Sequence, residues 1–256
     1  MSALEIHQIP VLEDNYVYLL HEPGSEATGV VDPAVSEPVL AEAERLGWAI
    51  THILNTHHHG DHVGGNRKIV AATGCHVIGA RRDRRRIPGI GVEVDDGDRI
   101  RLGEAEAEVF FVPGHTSGHI AFWFPESAAL FCGDTIFALG CGRLIEGTPA
   151  QMWPSLKKLR ALPDETRVYC AHEYTAANFA FARTVELENA ALMARGEAIL
   201  AARAKGARTV PSLLGEEKET NPFLRADVPS LAAAVGMSGR DPVEIFTEVR
   251  GRKDRF

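Results

Sequence analysis

Apolar and polar positions along the chain follow two periods, and they divide it into a mixed first part and a helical second part. Residues 6–12 and 16–20 are apolar and β-prone, with Glu13, Asp14 and Asn15 between them, so the pattern predicts two strands joined by a turn. Residues 28–32 predict a third strand, ended by Pro33. From Ser36 to Leu46 the apolar positions take helical spacing, with Ser36 placed to cap the start and Gly47 just past the end. Residues 50–55 read as a buried strand, Gly64 and Gly65 lead into a helix through about Thr73, and residues 75–79 return as a strand.

Residues 92–102 hold an acidic turn, Asp95-Asp96-Gly97-Asp98, between two short strands. Residues 104–112 alternate as a half-buried strand does, and residues 120–124 and 129–131 predict two more. A helix over residues 151–162 and a strand over residues 167–170 follow. Residues 175–204 are rich in Ala, Glu, Arg and Leu, which favour helix, and residues 211–219, 221–225 and 241–249 predict further short helices. The pattern places an α/β layered domain over residues 1–173 and an all-helical domain over residues 174–256.

Composition narrows the function classes. With 45% hydrophobic and 24% charged residues, the 256-residue chain has the make-up of a soluble globular protein. Its apolar runs fall short of a membrane span, and no signal peptide is visible at the N-terminus. Net charge of −8 argues against general binding to nucleic acid or anionic membranes. Cys75, Cys132, Cys141 and Cys170 form no C-x-x-C pair, which points to reduced, buried thiols and a cytoplasmic protein. Nothing calls for more than a monomer. The run Arg81-Arg82-Asp83-Arg84-Arg85-Arg86 reads as a solvated face rather than an anion site. The acidic turn lacks the twelve-position pattern of a calcium loop.

The chemistry gathers at strand ends. The strand over residues 50–55 delivers Thr56-His57-His58-His59-Gly60-Asp61-His62. In an extended segment alternate side chains share a face, so His57, His59 and Asp61 converge while His58 points the other way. Gly60 lets the chain turn sharply, so that Asp61 and His62 both aim inward. Later strand ends deliver His115, Asp134 and His172, each next to or near a glycine or small residue. Seven nitrogen and oxygen donors suit borderline metals such as zinc, iron or manganese, and seven are too many for one tetrahedral ion. Two ions sharing one carboxylate account for them, with Asp134 the natural bridge. Spacing does not set which histidine joins which ion. His58 and His119 read as orienting or packing residues.

His57-x-His59-x-Asp61-His62, followed by His115, Asp134 and His172, resembles the metallo-β-lactamase superfamily. Within it the chain is most similar to glyoxalase II, the hydroxyacylglutathione hydrolases. That likeness is carried by residues 140–148, by Ala171-His172-Glu173-Tyr174-Thr175, by Asn221-Pro222-Phe223-Leu224-Arg225 and by residues 249–254. The resemblance implies an αββα sandwich followed by a helical domain that completes a glutathione pocket. It implies hydrolysis of S-D-lactoylglutathione to glutathione and D-lactate, the second step of methylglyoxal detoxification, with a glutathione thioester as the small-molecule partner. It assigns His57, His59 and His115 to one metal, Asp61, His62 and His172 to the other, and Asp134 to both, with Asp61 also orienting the nucleophile. It assigns glutathione contacts to Arg143, Tyr174, Arg250 and Lys253. Two positions depart from the family pattern: Arg143 stands where many members have Lys, and Ile145 stands where members carry an aromatic residue. Arg keeps the charge and grips a carboxylate through two bonds, whereas Ile145 offers no hydrogen bond. Another hydrolase of this fold, a mononuclear-iron glutathione persulfide dioxygenase, and a binding protein without activity are the competing readings. The second metal position supplied by His62, His172 and Asp134 weighs against the dioxygenase.

Overall fold

The first two apolar runs become strands β1 (Glu5–Val11) and β2 (Asn15–Glu22), paired antiparallel from Glu5 opposite His21 to Val11 opposite Asn15. In this computed structural model, which describes residues 3–256, β3 (Ala27–Val31) continues the antiparallel pairing. A crossover through helix α1 (Glu37–Leu46) then brings β4 (Ile50–Leu54) in parallel to β3. A second crossover, through the short α2 (Gly60–Val63) and α3 (Asn66–Thr73), brings in β5 (His76–Ala80), and β6 (Ile90–Val94) closes a six-stranded sheet in sequential order. Parallel neighbours need such crossovers, and the helices they carry cover one face of the sheet. There Val39 and Ala43 of α1 and Ile69 of α3 pack on Val17, Leu19, Val30, Ile53 and Val77.

The other face of this sheet meets an antiparallel set, β7 (Arg99–Leu102), β8 (Ala105–Phe111), β9 (Ile120–Phe124) and β10 (Ala129–Gly133). Tyr18 of β2 packs edge-on against Phe131 of β10 at 5.5 Å between ring centroids. With both faces covered, all eight residues of β2 are buried, and its middle, residues 16–20, is an unbroken apolar run rather than an alternation, flanked by the buried polar residues Asn15, His21 and Glu22. These elements form one compact unit, running to Phe111 and resuming over Ser117–Gly133.

The second unit takes Val112–Thr116 and the chain from Asp134 onward. It opens with a hairpin, β11 (Ile136–Phe137) and β12 (Gly140–Cys141), whose tip residue Leu139 adopts φ 57°. Three distant side chains hold that tip. Asn178 Nδ2 donates to Ala138 O at 3.1 Å, Glu217 Oε2 accepts from Leu139 N at 2.9 Å, and Asn221 Nδ2 donates to Phe137 O and Gly140 O at 3.1 and 2.9 Å. Helix α4 (Pro149–Arg160), strand β13 (Arg167–Cys170) and helices α5 (Thr175–Val185) and α6 (Ala190–Arg203) follow. After β14 (Ser212–Leu213) come α7 (Leu214–Thr220), α8 (Pro229–Ala234) and α9 (Pro242–Asp254). Trp153, Phe246, Phe223 and Phe181 form an aromatic ridge with successive centroids 6.2, 6.3 and 5.8 Å apart. No helix among the described residues is long and apolar enough to cross a membrane.

Several local expectations change. Asp61 and His62 lie on the helical turn α2, not on an extended segment, and Gly60 starts that turn without the left-handed backbone a sharp bend would need. Ser36 precedes α1, but its hydroxyl donates to Glu37 Oε2 at 2.9 Å instead of capping the helix. Thr148 and Gln151 form a reciprocal cap, so α4 starts at Pro149, two residues before the expected start. The helix-favouring stretch over residues 175–204 forms two helices, because Asn189 caps a new start by accepting from Leu192 N at 3.1 Å. The second part is also not purely helical, since Ser212–Leu213 pairs antiparallel with β13. The acidic turn is spent on the backbone: Asp98 Oδ2 accepts from Asp95 N and Asp96 Oδ1 from Phe111 N, both at 2.7 Å.

Candidate metal centre and substrate cleft

In the first unit, β4 ends at Leu54 and the chain runs extended through the histidines into α2. Asp32, just past β3, accounts for how the imidazoles are held. Its φ of 50° is unusual for a residue with a side chain, and it turns the carboxylate onto the histidine segment. Thr56 N donates to Asp32 Oδ1 at 2.8 Å, and the Thr56 hydroxyl donates to Asp32 Oδ2 at 2.6 Å. With its hydrogen given to Asp32, Thr56 Oγ1 accepts from His57 Nδ1 at 3.1 Å. His62 Nδ1 donates to the same Asp32 Oδ2 at 3.1 Å. Both rings therefore carry their hydrogen on Nδ1, which leaves each Nε2 a lone pair. One ring nitrogen giving its hydrogen to a protein oxygen, with the lone pair on the other, is the usual arrangement of a metal-binding histidine.

His57 Nε2 lies 3.1 Å from His59 Nδ1. Two nitrogens on one tetrahedral ion sit about 3.3 Å apart when each bond is about 2.0–2.1 Å, so the pair fits a common ion. Asp61 Oδ2 is 3.6 Å from His62 Nε2 and accepts from Asn15 Nδ2 at 3.1 Å, which fixes the carboxylate. His119 stacks on His57 at 4.5 Å and gives its Nδ1 hydrogen to Ile120 O at 3.0 Å, so it packs and orients. His58 turns away, with Nδ1 3.3 Å from Asp83 Oδ2. The donor set of this half suits a divalent ion.

In the second unit, β10 hands over to Asp134, and the loop before α4 returns past His115. His115 Nδ1 donates to Arg143 O at 2.8 Å, leaving Nε2 3.3 Å from Asp134 Oδ2. His172, two residues beyond β13, places Nε2 3.5 Å from Asp134 Oδ1. One carboxylate thus has a different histidine facing each of its oxygens. Gly142 makes this approach possible, since a Cβ there would meet Asp134 O at 2.0 Å.

The same unit holds a cleft of about 700 Å³, within the range of small-molecule sites. His115 and Asp134 line it together with Arg143, Tyr174, Arg250 and Lys253. Arg143 is exposed. Tyr174, 37% exposed, stacks on His172 at 4.7 Å and 3° between planes. Arg250 is buried over the Phe223 ring, donating to Cys141 O at 3.0 Å and pairing with Asp254 at 2.7 Å, so it shapes the wall as well as lining it. Lys253 Nζ donates to Ala177 O at 3.2 Å. Burial, then the charge of Arg250, pushes the Lys253 ammonium below the usual lysine range, with Asp254 partly opposing. Ile145 is 54% exposed on the rim.

No cysteine forms a disulfide, and all four are buried. Burial pushes the Cys141 and Cys170 thiols up to about 11 and about 12, so at neutral pH neither is a thiolate nucleophile. The sequence pattern missed Asp32 and Thr56 as site residues. The signal was there, since Asp32 is another acidic residue at a strand end.

Residues 12–172 match the family model of the metallo-beta-lactamase superfamily, and residues 173–256 match that of the hydroxyacylglutathione hydrolase C-terminus. A hydroxyacylglutathione hydrolase of Methylococcus capsulatus is 64% identical over 253 residues, 99% of each chain. Among solved structures, ETHE1 from Myxococcus xanthus aligns with a TM-score of 0.71 at 25% identity, covering 96% of this chain and 90% of that one. TTHA1623, solved in a di-iron-bound form, aligns with a TM-score of 0.62 at 27% identity, covering 86% and 99%.

Proposed function

The chain belongs to the hydroxyacylglutathione hydrolases, thioester hydrolases of the metallo-β-lactamase fold, and from that premise we propose a division of labour between its two half-sites. The substrate is S-D-lactoylglutathione or a related 2-hydroxyacyl thioester, and water takes the acyl group to give D-lactate and glutathione. His57, His59 and His115 would hold one divalent ion and Asp61, His62 and His172 the other, with Asp134 shared between them. Bound there, the two ions supply Lewis acidity and a water acidic enough to react near neutral pH. Zinc suits this donor set, with iron and manganese as alternatives.

The rest falls to the chain. Asp32 and Thr56 keep the ligand nitrogens of His57 and His62 aimed and deprotonated. Asp61, steadied by Asn15, orients the attacking water. Arg143 takes a glutathione carboxylate through its two-pronged guanidinium, and Lys253 adds a second positive charge. Tyr174 covers the thioester against His172, while Ile145 gives only apolar contact. A thiol has a pKa of about 8.5, so the leaving group departs as thiolate without a strong acid to protonate it. Residues 174–256 act as the helical domain completing the glutathione pocket of the catalytic domain over residues 1–173. The enzyme works as a cytoplasmic monomer.

One observation carries the reading. The cleft lined by His115 and Asp134 is also lined by Arg143 and Lys253, so metal-type ligands and cations for an anionic substrate share one cavity. The test measures thiol release from S-lactoylglutathione beside oxygen uptake with glutathione persulfide and opening of a β-lactam. Thiol release alone is expected. Oxygen uptake without thiol release, or β-lactam opening as the fastest reaction, would overturn the proposal.

A further inference from the structure

The run Arg81 to Arg86 has two different ends. Arg81 makes exposed ion pairs with Asp95 at 2.6 Å and Glu93 at 3.0 Å, and such pairs contribute little. Asp83 is different: it is fully buried, in a run otherwise made of exposed arginines. A buried carboxylate is costly unless charged or polar groups meet it. Here Arg86 donates to Asp83 Oδ1 from Nη2 at 2.5 Å and from Nε at 3.2 Å, and His58 Nδ1 lies 3.3 Å from Oδ2.

The arrangement closes on itself. Arg86 Nη1 lies 3.2 Å from His58 Nε2. A guanidinium only donates, so Nε2 accepts, and the His58 hydrogen sits on Nδ1 and is given to Asp83. Both His58 nitrogens are thereby engaged, and neither has a lone pair left for a metal. Arg86 Nη2 also donates to Ser117 Oγ at 3.1 Å. Gly118 is packed so closely that a Cβ would meet Asp83 Oδ1 at 2.1 Å. The triad thus touches the histidine segment at its middle residue and the chain just before His119, which stacks on His57.

We propose that Asp83 is a positioning residue for the metal-binding segment, clamping His58 through a closed Asp83–Arg86–His58 triad so that His57 and His59 face one ion. In an extended segment, fixing the middle side chain on one face fixes both neighbours on the other. His57 and His59 flank His58, and their nitrogens already stand 3.1 Å apart. The inference rests on His57 and His59 being metal ligands.

The test reads cobalt(II) affinity by chelator competition, the visible spectrum of the cobalt-loaded protein, and the melting temperature of the metal-free protein. Asp83→Asn keeps the shape and removes the charge. It is expected to weaken cobalt binding about 10- to 100-fold, the range for partners that orient metal ligands, and to shift the visible bands. His58→Phe should do the same while leaving the metal-free protein folded, and it carries the test if Asp83→Asn gives no folded protein. The double variant should bind no worse than the weaker single variant, since the residues act as one unit. His57→Ala is the control. If it lowers affinity while Asp83→Asn and His58→Phe leave affinity and spectrum unchanged, the inference is overturned and the ligand assignment stands. If His57→Ala changes nothing, the ligand assignment fails and this inference with it. A lowered melting temperature with unaltered cobalt binding marks Asp83 as merely structural and also overturns it.

Discussion

The two half-sites are built in opposite ways. In the first unit the four side chains proposed as ligands arrive within six residues, on one strand end and one helical turn, with the His57 and His62 rings held by Thr56 and Asp32. In the second unit the cleft residues come from loops after β8, β10 and β12, from the end of β13 and from α9, more than a hundred residues apart. The first half is short-range and spends its polar groups on aiming nitrogens. The second is long-range, and Arg143 lines its cleft while remaining exposed. The contrast assigns them different work, turnover to the first kind of residue and affinity to the second.

Asp134→Ala should have the largest effect, because it lies in the second unit by position and in the metal set by chemistry. Activity should fall by more than about a hundredfold, beyond the usual effect of outer-sphere partners, with metal content falling in parallel. Full activity with two metals bound, by metal analysis and thiol release, would sink the bridging assignment. Arg143→Ala comes next, with KM rising about tenfold or more, as lost hydrogen bonds to a charged group do, and kcat changing little. An equal fall in kcat would place Arg143 in the chemistry and erase the division.

Lys253 gives a pH test. Only its protonated form attracts the glutathione carboxylates, and burial lowers its folded pKa below the usual lysine value. KM should therefore rise with increasing pH, and begin to do so at lower pH than an ordinary lysine would allow. Lys253→Arg should flatten the rise, and a profile unchanged by that substitution would remove Lys253 from the site. The smallest effect is a gain. Ile145→Tyr adds a hydroxyl at the rim and should lower KM about threefold to tenfold, one net hydrogen bond's worth. Steady-state kinetics showing no gain would mean the rim lies away from the bound substrate.

Much of this was legible because it is local. The parallel half of the first sheet follows from apolar runs separated by helical stretches, and Gly47 ends α1 with φ 73° as expected. The alternate-face rule correctly paired His57 with His59 and turned His58 away. It did not extend to Asp61, where the chain had already entered a helical turn, since periodicity over two or three residues cannot separate strand from helix. The solvated-face reading of Arg81 to Arg86 describes Arg81 and not Asp83, because burial is invisible in a charge pattern.

The types and spacing of the donors, the fold class and the family could be read from the sequence alone. These properties are carried by residues close along the chain, or by motifs whose order alone is diagnostic. The folded chain alone shows which ring nitrogens carry hydrogens and which oxygen of Asp134 faces which histidine. Those depend on partners such as Asp32 for His62 and Arg143 O for His115, about thirty residues away in sequence. The stretch from Thr56 to His62 announces a metal site on its own. What aims it is a carboxylate one strand earlier, brought alongside by the parallel pairing of β3 and β4.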